Sequence, residues 1–424
     1  MKFLFLIFFL FNWNASLAQW SANDSSAFNK NQSYIFFDDI GSVKLMVNGV
    51  PTSNPVIALA SSDAIQFQFD EINGNGIQYN FKLLHCNADW SRSELFENEY
   101  LSGFNNLPVP IIQNSMNTKV RYVHYSFTFP NVEMRPLVSG NYLMRVYIND
   151  DTDPAWQVRI YVVDQRVPIS LKANRSRVSS KYTTHHQLDA EVTVAKLNII
   201  EIEKQCLLKI MQNFREDKAL LLKNPRVQIG EKLIYDNTQV LPAGNEFRDF
   251  DIRTIRVKAR NIAKIEILPE SNEVTVEPDK LRGNSSYSVL RDINGKYTIE
   301  FNETNMSATD AEYCHVHFSL ELKAPLVDHR LYIVFEGNFY VPDTKYELKF
   351  NYAKERYEAS VFLKQGFYNY LIKDISVRKN SDDTDFIEGN YQATENEYQA
   401  FFYYRPFSGR YDQLVGLGTT SSEW

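Results

Sequence analysis

Cysteine is scarce: the 424 residues hold three, Cys86, Cys206 and Cys314. An odd and widely spaced set cannot build a disulfide framework for the whole chain. Cys206 and Cys314 fall on the apolar side of strand-like alternations, so buried thiols are expected. Long apolar runs are missing too. After the first dozen residues nothing approaches the roughly eighteen consecutive apolar residues that a membrane-spanning helix needs. Clustered cations are absent, and 45 Lys+Arg against 52 Asp+Glu leave a net charge of −7. Phosphate binding requires the opposite balance, which excludes nucleic acid as an expected partner. There is no Gly-x-Ser-x-Gly elbow, no phosphate-cradling glycine loop and no recognisable carboxylate pair, so nothing here asks for an enzyme.

The first residues have one early cation, Lys2, then an apolar run from Phe3 to Phe11, then small residues at Ser16 and Ala18. That pattern reads as a signal peptide over residues 1–18, cleaved before Gln19. No cysteine follows that point closely, which disfavours a lipid anchor, and losing Lys2 takes the charge to −8. An exported, periplasmic or extracellular protein without direct transmembrane insertion is expected.

Hydrophobic residues make up 44% of the chain and aromatics 14%, with 29 Phe and 25 Tyr, enough to fill several cores. Alternation with period two recurs from end to end, as in Ile65–Phe69, Ile77–Leu83 and Val123–Phe129, and predicts half-buried strands. Asn73-Gly74-Asn75-Gly76, Ser139-Gly140-Asn141, Ala243-Gly244-Asn245 and Asn294-Gly295 supply turn residues between them. Helical periodicity is confined to a short stretch near Ser91–Tyr100. The fold class expected is all-β, with tandem antiparallel β-sandwich domains of the immunoglobulin-like kind. Composition shifts divide the mature chain into 19–165, 166–325 and 326–424, the last being an immunoglobulin-like domain.

The densest chemistry is His85-Cys86-Asn87-Ala88-Asp89-Trp90. Neighbouring residues on a strand face opposite ways, so His85 cannot serve Cys86 as a base. Asn87 and Asp89 are expected to cap a turn, with Trp90 packed beneath it. In Cys314-His315-Val316-His317 the two histidines share the polar face with no third metal ligand to name, and they read as surface residues, as do His185-His186. Three further strings mix turn formers, aromatics and charges as strand corners do: Phe129–Pro136, which holds Arg135; Gly244–Asp251, which holds Asn245, Glu246, Arg248 and Asp249; and Lys364–Tyr370, which holds Tyr368 and Tyr370. No cofactor and no metal is expected at any of them. The 331–370 region is similar to the sandwiches appended to glycogen-active enzymes, although Phe339 stands without a tryptophan nearby. That leaves an exported carbohydrate-binding β-sandwich as the alternative reading.

Taken in order, HCNADW, NEYLSGF, FPN with MRP, SGNYLMRVY, GNEFRDFDI, DINGKY, AEYCHVHFSL and KQGFYNYLI resemble the plug proteins of the type IX secretion system, over nearly all of the mature chain. The resemblance implies a non-catalytic periplasmic role: binding the outer-membrane translocon β-barrel and closing its periplasmic mouth when no cargo passes. The motif residues His85, Asn87, Asp89, Trp90, Arg135, Asn245, Glu246, Arg248, Asp249, Tyr368 and Tyr370 then have structural or docking roles. Phe339 departs from the tryptophan that relatives often carry. The C-terminal residues do not resemble the secretion domain of cargo.

Overall fold

A computed structural model of the chain describes residues 31–422 apart from 237–239, 284, 304–306 and 380. The expected signal peptide lies outside the described residues. Strands dominate, in several mainly antiparallel sheets, and the one helical hint near Ser91–Tyr100 is a single turn, Glu97–Tyr100. Among the described strands two pairings are parallel: Val56–Ala58 against Pro154–Val163, and Asn272–Val276 against Tyr313–Glu321.

The first sandwich opposes two sheets. One runs Ile40–Val47, Ile65–Ile72, Tyr122–Phe129 and Ile111–Asn114; the other centres on Asn80–Cys86, Gly140–Tyr147 and Pro154–Val163. Alternation puts Phe67 and Phe69 on the inner face of the first sheet and Phe81 on that of the second. Phe127 stacks on both Phe67 and Phe81, with centroids 4.8 and 4.3 Å apart, around the fully buried Trp156. Offset stacking of this kind adds about 0.5–1.5 kcal/mol per pair beyond area burial.

The middle sandwich is discontinuous in sequence. One sheet comes from Ile169–Arg175, His185–Thr193 and the strands between 227 and 242; the other joins Leu220–Leu222 and Cys206–Gln212 to Glu397–Tyr404 and Gln413–Ser421. Between the two visits, the strands from Arg248 to Asp382 form one ten-stranded sheet around a core of its own. The expected boundary at 325/326 therefore needs correcting. Tyr313–Glu321 pairs with Arg356–Lys364 inside that ten-stranded sheet, so a cut at 325 would sever a ladder, and residues after 396 return to the middle sandwich. Strand pairing is a long-range choice that local composition does not encode.

The half-buried expectation also fails for several central strands. Along Glu397–Tyr404, Tyr398, Ala400, Phe402 and Tyr404 fill the middle core. The alternate residues Phe401 and Tyr403 meet Leu84, Cys86, Trp90, Leu143 and Tyr161 of the first sandwich. The first and middle sandwiches are thus stacked sheet on sheet, and the two inner sheets of the stack are covered on both faces.

Candidate functional site

The His85–Trp90 corner sits on this seam. Its strand continues to Cys86, and Gly140 on the neighbouring strand (φ +149°) leaves room for the imidazole, since a Cβ there would lie 2.5 Å from His85 Nε2. His85 Nε2 donates to the Ser139 carbonyl at 3.3 Å while Nδ1 accepts from the Ser93 hydroxyl at 2.8 Å, which fixes the neutral tautomer. Its ring stands edge-on to Tyr142 and Tyr411, and burial pushes its pKa down to about 4. Cys86 points the other way, into the inter-sandwich core, where burial pushes its thiol up to about 12. A thiol that stays protonated, with the imidazole on the opposite face, is no nucleophile.

The loop itself is built as a clamp. Asp89 Oδ1 accepts from both the backbone and the hydroxyl of Ser91. Asn87 Oδ1 accepts from Arg405 Nη2 at 2.8 Å, and the Ala88 N–H donates to Asp412 Oδ2 at 2.9 Å. Asn141 Nδ2 donates to the Asn87 carbonyl while its Oδ1 receives the Tyr403 hydroxyl at 2.7 Å. Trp90, with φ +67°, packs edge-on against Tyr161 and lies beneath the Arg159 guanidinium at 4.4 Å. The corner fastens the first sandwich to the C-terminal hairpin, a role invisible from the motif because its partners lie more than 300 residues away.

The motif residues of the ten-stranded sheet converge on a second buried network. Arg248 Nη1 meets Asp279 Oδ1 at 2.7 Å and its Nε meets Glu388 at 3.0 Å. Arg282 also binds Glu388, and the Tyr370 hydroxyl donates to Asp279 at 2.9 Å. Burial alone would raise the Glu388 carboxyl, but Arg248 and Arg282 hold it down to about 2. Asn245 donates to the Glu388 carbonyl, Glu246 accepts from Tyr287, Asp249 pairs with Arg260 at 2.8 Å, and Tyr368 donates to the Lys364 carbonyl. Arg248 and Tyr370 are thereby brought together; none of these groups is free to receive a ligand.

The histidine pairs divide. His317 is partly exposed and paired with Glu273 at 2.7 Å. His186, expected at the surface, is fully buried between the Tyr398 hydroxyl and the Gln392 carbonyl, both at 2.7 Å, because its strand is covered by the returning C-terminal segment. Among the described residues no cluster of three or more His, Cys, Asp or Glu is placed to hold a metal ion, and no helix is long and apolar enough to cross a membrane. Phe339 lies against the first sandwich's core rather than in the open.

One accessible edge of the first sandwich is a two-stranded ribbon, Leu101–Gly103 paired with Met134–Pro136. Phe104 donates its N–H to the Glu133 carbonyl, bringing the chain at 104 beside that at 132–133. Phe104 is 70% exposed and Val132 87%, with Phe96 and Leu137 exposed on the flanking turns. Arg135 is exposed as well and donates to the Asn131 carbonyl at 3.2 Å. Large apolar side chains thus stand in water next to a cation, and they are grouped on one ribbon rather than scattered singly. Sequence reasoning picked Arg135 from this ribbon and missed Phe104 and Val132; both stand in the quoted strings, beside turn residues.

Residues 40–164, which hold both the ribbon and the corner, match the model of the type 9 secretion system plug protein first domain. The whole chain is similar to a hypothetical protein from Parabacteroides merdae known from a crystal structure, with 29% identity, a TM-score of 0.88, and coverage of 92% of this chain and 99% of that one. No curated protein matches. The first domain is thus that of the type 9 secretion system plug protein family, which points to a role in type IX secretion.

Proposed function

We propose that this protein is a non-enzymatic periplasmic plug that binds the translocon β-barrel of the type IX system at its periplasmic opening and closes it between cargoes. The observation that carries the reading is the exposed apolar ribbon around Phe104 and Val132 inside the plug-family domain. A cap must hold a wide pore shut and still be displaced, which suits a few aromatic anchors inside a polar rim. The stacked sandwiches and the clamp at Asn87 make the body stiff, so little ordering entropy opposes docking. The contact needs at least about 1,200 Å² for specific recognition.

The test is uptake of a large antibiotic by cells lacking this protein, with and without the barrel. The proposal expects a leak that vanishes when the barrel is also deleted. A leak that persists without the barrel, or no leak with the barrel intact, overturns it.

A further inference from the structure

Where the three sandwiches meet, a partly open cavity of about 330 Å³ is lined by residues of all three. At ~30 Å³ per water it has room for a small organic molecule. Its wall carries five cations, Lys44, Arg159, Arg215, Lys296 and Lys373, against three carboxylates, Glu216, Asp217 and Glu336. Every carboxylate is shared between two cations. Glu336 lies between Lys44 and Lys296, at 2.5 and 2.9 Å. Glu216 takes Arg159 at 3.3 Å and Lys209, from behind the wall, at 2.7 Å. Asp217 takes Arg215 at 2.7 Å and Lys373 at 2.8 Å, and Lys373 also lies 4.0 Å from Asp382. Lys44, Arg215, Lys296 and Lys373 are each less than a tenth exposed.

Positive charge therefore exceeds negative charge in a buried space, and uncompensated buried charge is costly. Burial pulls the Lys44 and Lys209 ammonium groups below their usual range despite their carboxylate partners. Phe214, Phe339 and Pro342 close the remaining wall, giving the mixture of apolar surface and convergent polar groups that characterises ligand pockets.

We infer that this junction binds a small oxyanion carrying two or more negative charges, a polycarboxylate or a phosphate, seated among Lys44, Arg159, Arg215, Lys296 and Lys373. Lysine and arginine donors are the usual recognition chemistry for such groups. Because its wall is drawn from three sandwiches, the bound anion cements their relative placement. The inference stands apart from the plug reading, since it concerns the chain alone.

The chain lacking residues 1–18 is titrated with citrate and, separately, inorganic phosphate at millimolar concentration, against sodium chloride of matched ionic strength, following the thermal midpoint and the heat of binding. Expected is a saturable rise of about 3 °C or more with one-to-one stoichiometry; citrate alone identifies a polycarboxylate site, phosphate alone a phosphate site. Val341→Phe, which adds bulk at an uncharged position of the lining, should abolish the rise. No saturable heat from either anion overturns the inference, as does an equal rise in Val341→Phe, the signature of a general salt effect. If Val341→Phe does not fold, the calorimetric stoichiometry of the unaltered chain decides.

Discussion

Lys364 Nζ reaches Asp70 Oδ2 at 2.7 Å, joining the ten-stranded sheet to the outer face of the first sandwich, with both side chains 1% exposed. Asp70 also receives the Tyr313 hydroxyl at 2.8 Å and faces His124 Nδ1 at 2.7 Å. Burial alone would raise its carboxyl; Lys364 and then His124 hold it below the usual range. Removing one partner strands a buried charge, so Lys364→Met should cost about 3–5 kcal/mol, while the double variant with Asp70→Asn should cost clearly less than the sum of the singles. A denaturant double-mutant cycle measures this, and strict additivity would count against a coupled pair.

Trp90→Ala should destabilise by roughly 3–5 kcal/mol, the range for deleting a buried large aromatic. Because the ring belongs to the inter-sandwich core with Met211, Phe401 and Tyr403 and lies under Lys209 Nζ at 5.7 Å, hydrogen exchange should rise in Glu397–Tyr404 as well as in the first sandwich. Increased exchange confined to residues 80–93 would show that the corner does not fasten the two bodies.

Burial lowers the His85 pKa from 6.5 to about 4, so between those values the unfolded chain binds the extra proton. The stability that neutral His85 supports is complete above about pH 6.5 and is lost as pH falls toward 4, amounting to at most about 3 kcal/mol. Subtracting the stability curve of His85→Gln from that of the unaltered chain should isolate this slope. A flat difference across that window would mean the imidazole titrates alike folded and unfolded.

All three cysteines are free and buried, and burial pushes each thiol to about 12. A thiol reagent should find almost nothing to modify in the native protein and three thiols after unfolding without reductant. Single Cys→Ser variants should remain folded at a cost of about 1–3 kcal/mol. One free thiol after unfolding would reveal a disulfide.

Phe104→Asp and Val132→Asp alter side chains already in water, so stability should change by no more than about 0.5 kcal/mol. Recovery of the barrel from envelope extracts by the tagged protein should fall sharply. Undiminished recovery with either variant would move the docking surface elsewhere.

Period-two alternation and turn residues determined the all-β class. The opposite facing of His85 and Cys86 and the apolar setting of Cys206 and Cys314 were legible for the same reason: a strand's two faces are set by local geometry. Tertiary structure alone decided which strands pair and which polar faces are buried. Glu397–Tyr404 joins Cys206–Gln212 across nearly two hundred residues, and no local pattern records that choice. His186 reads as solvent-facing because it is polar in an alternating strand; it is buried because another element supplies a compensating partner, as Asp70 and His124 are too. The same logic hid the junction cavity, whose cations come from separate strands and loops and acquire a common purpose only when three sandwiches close around them.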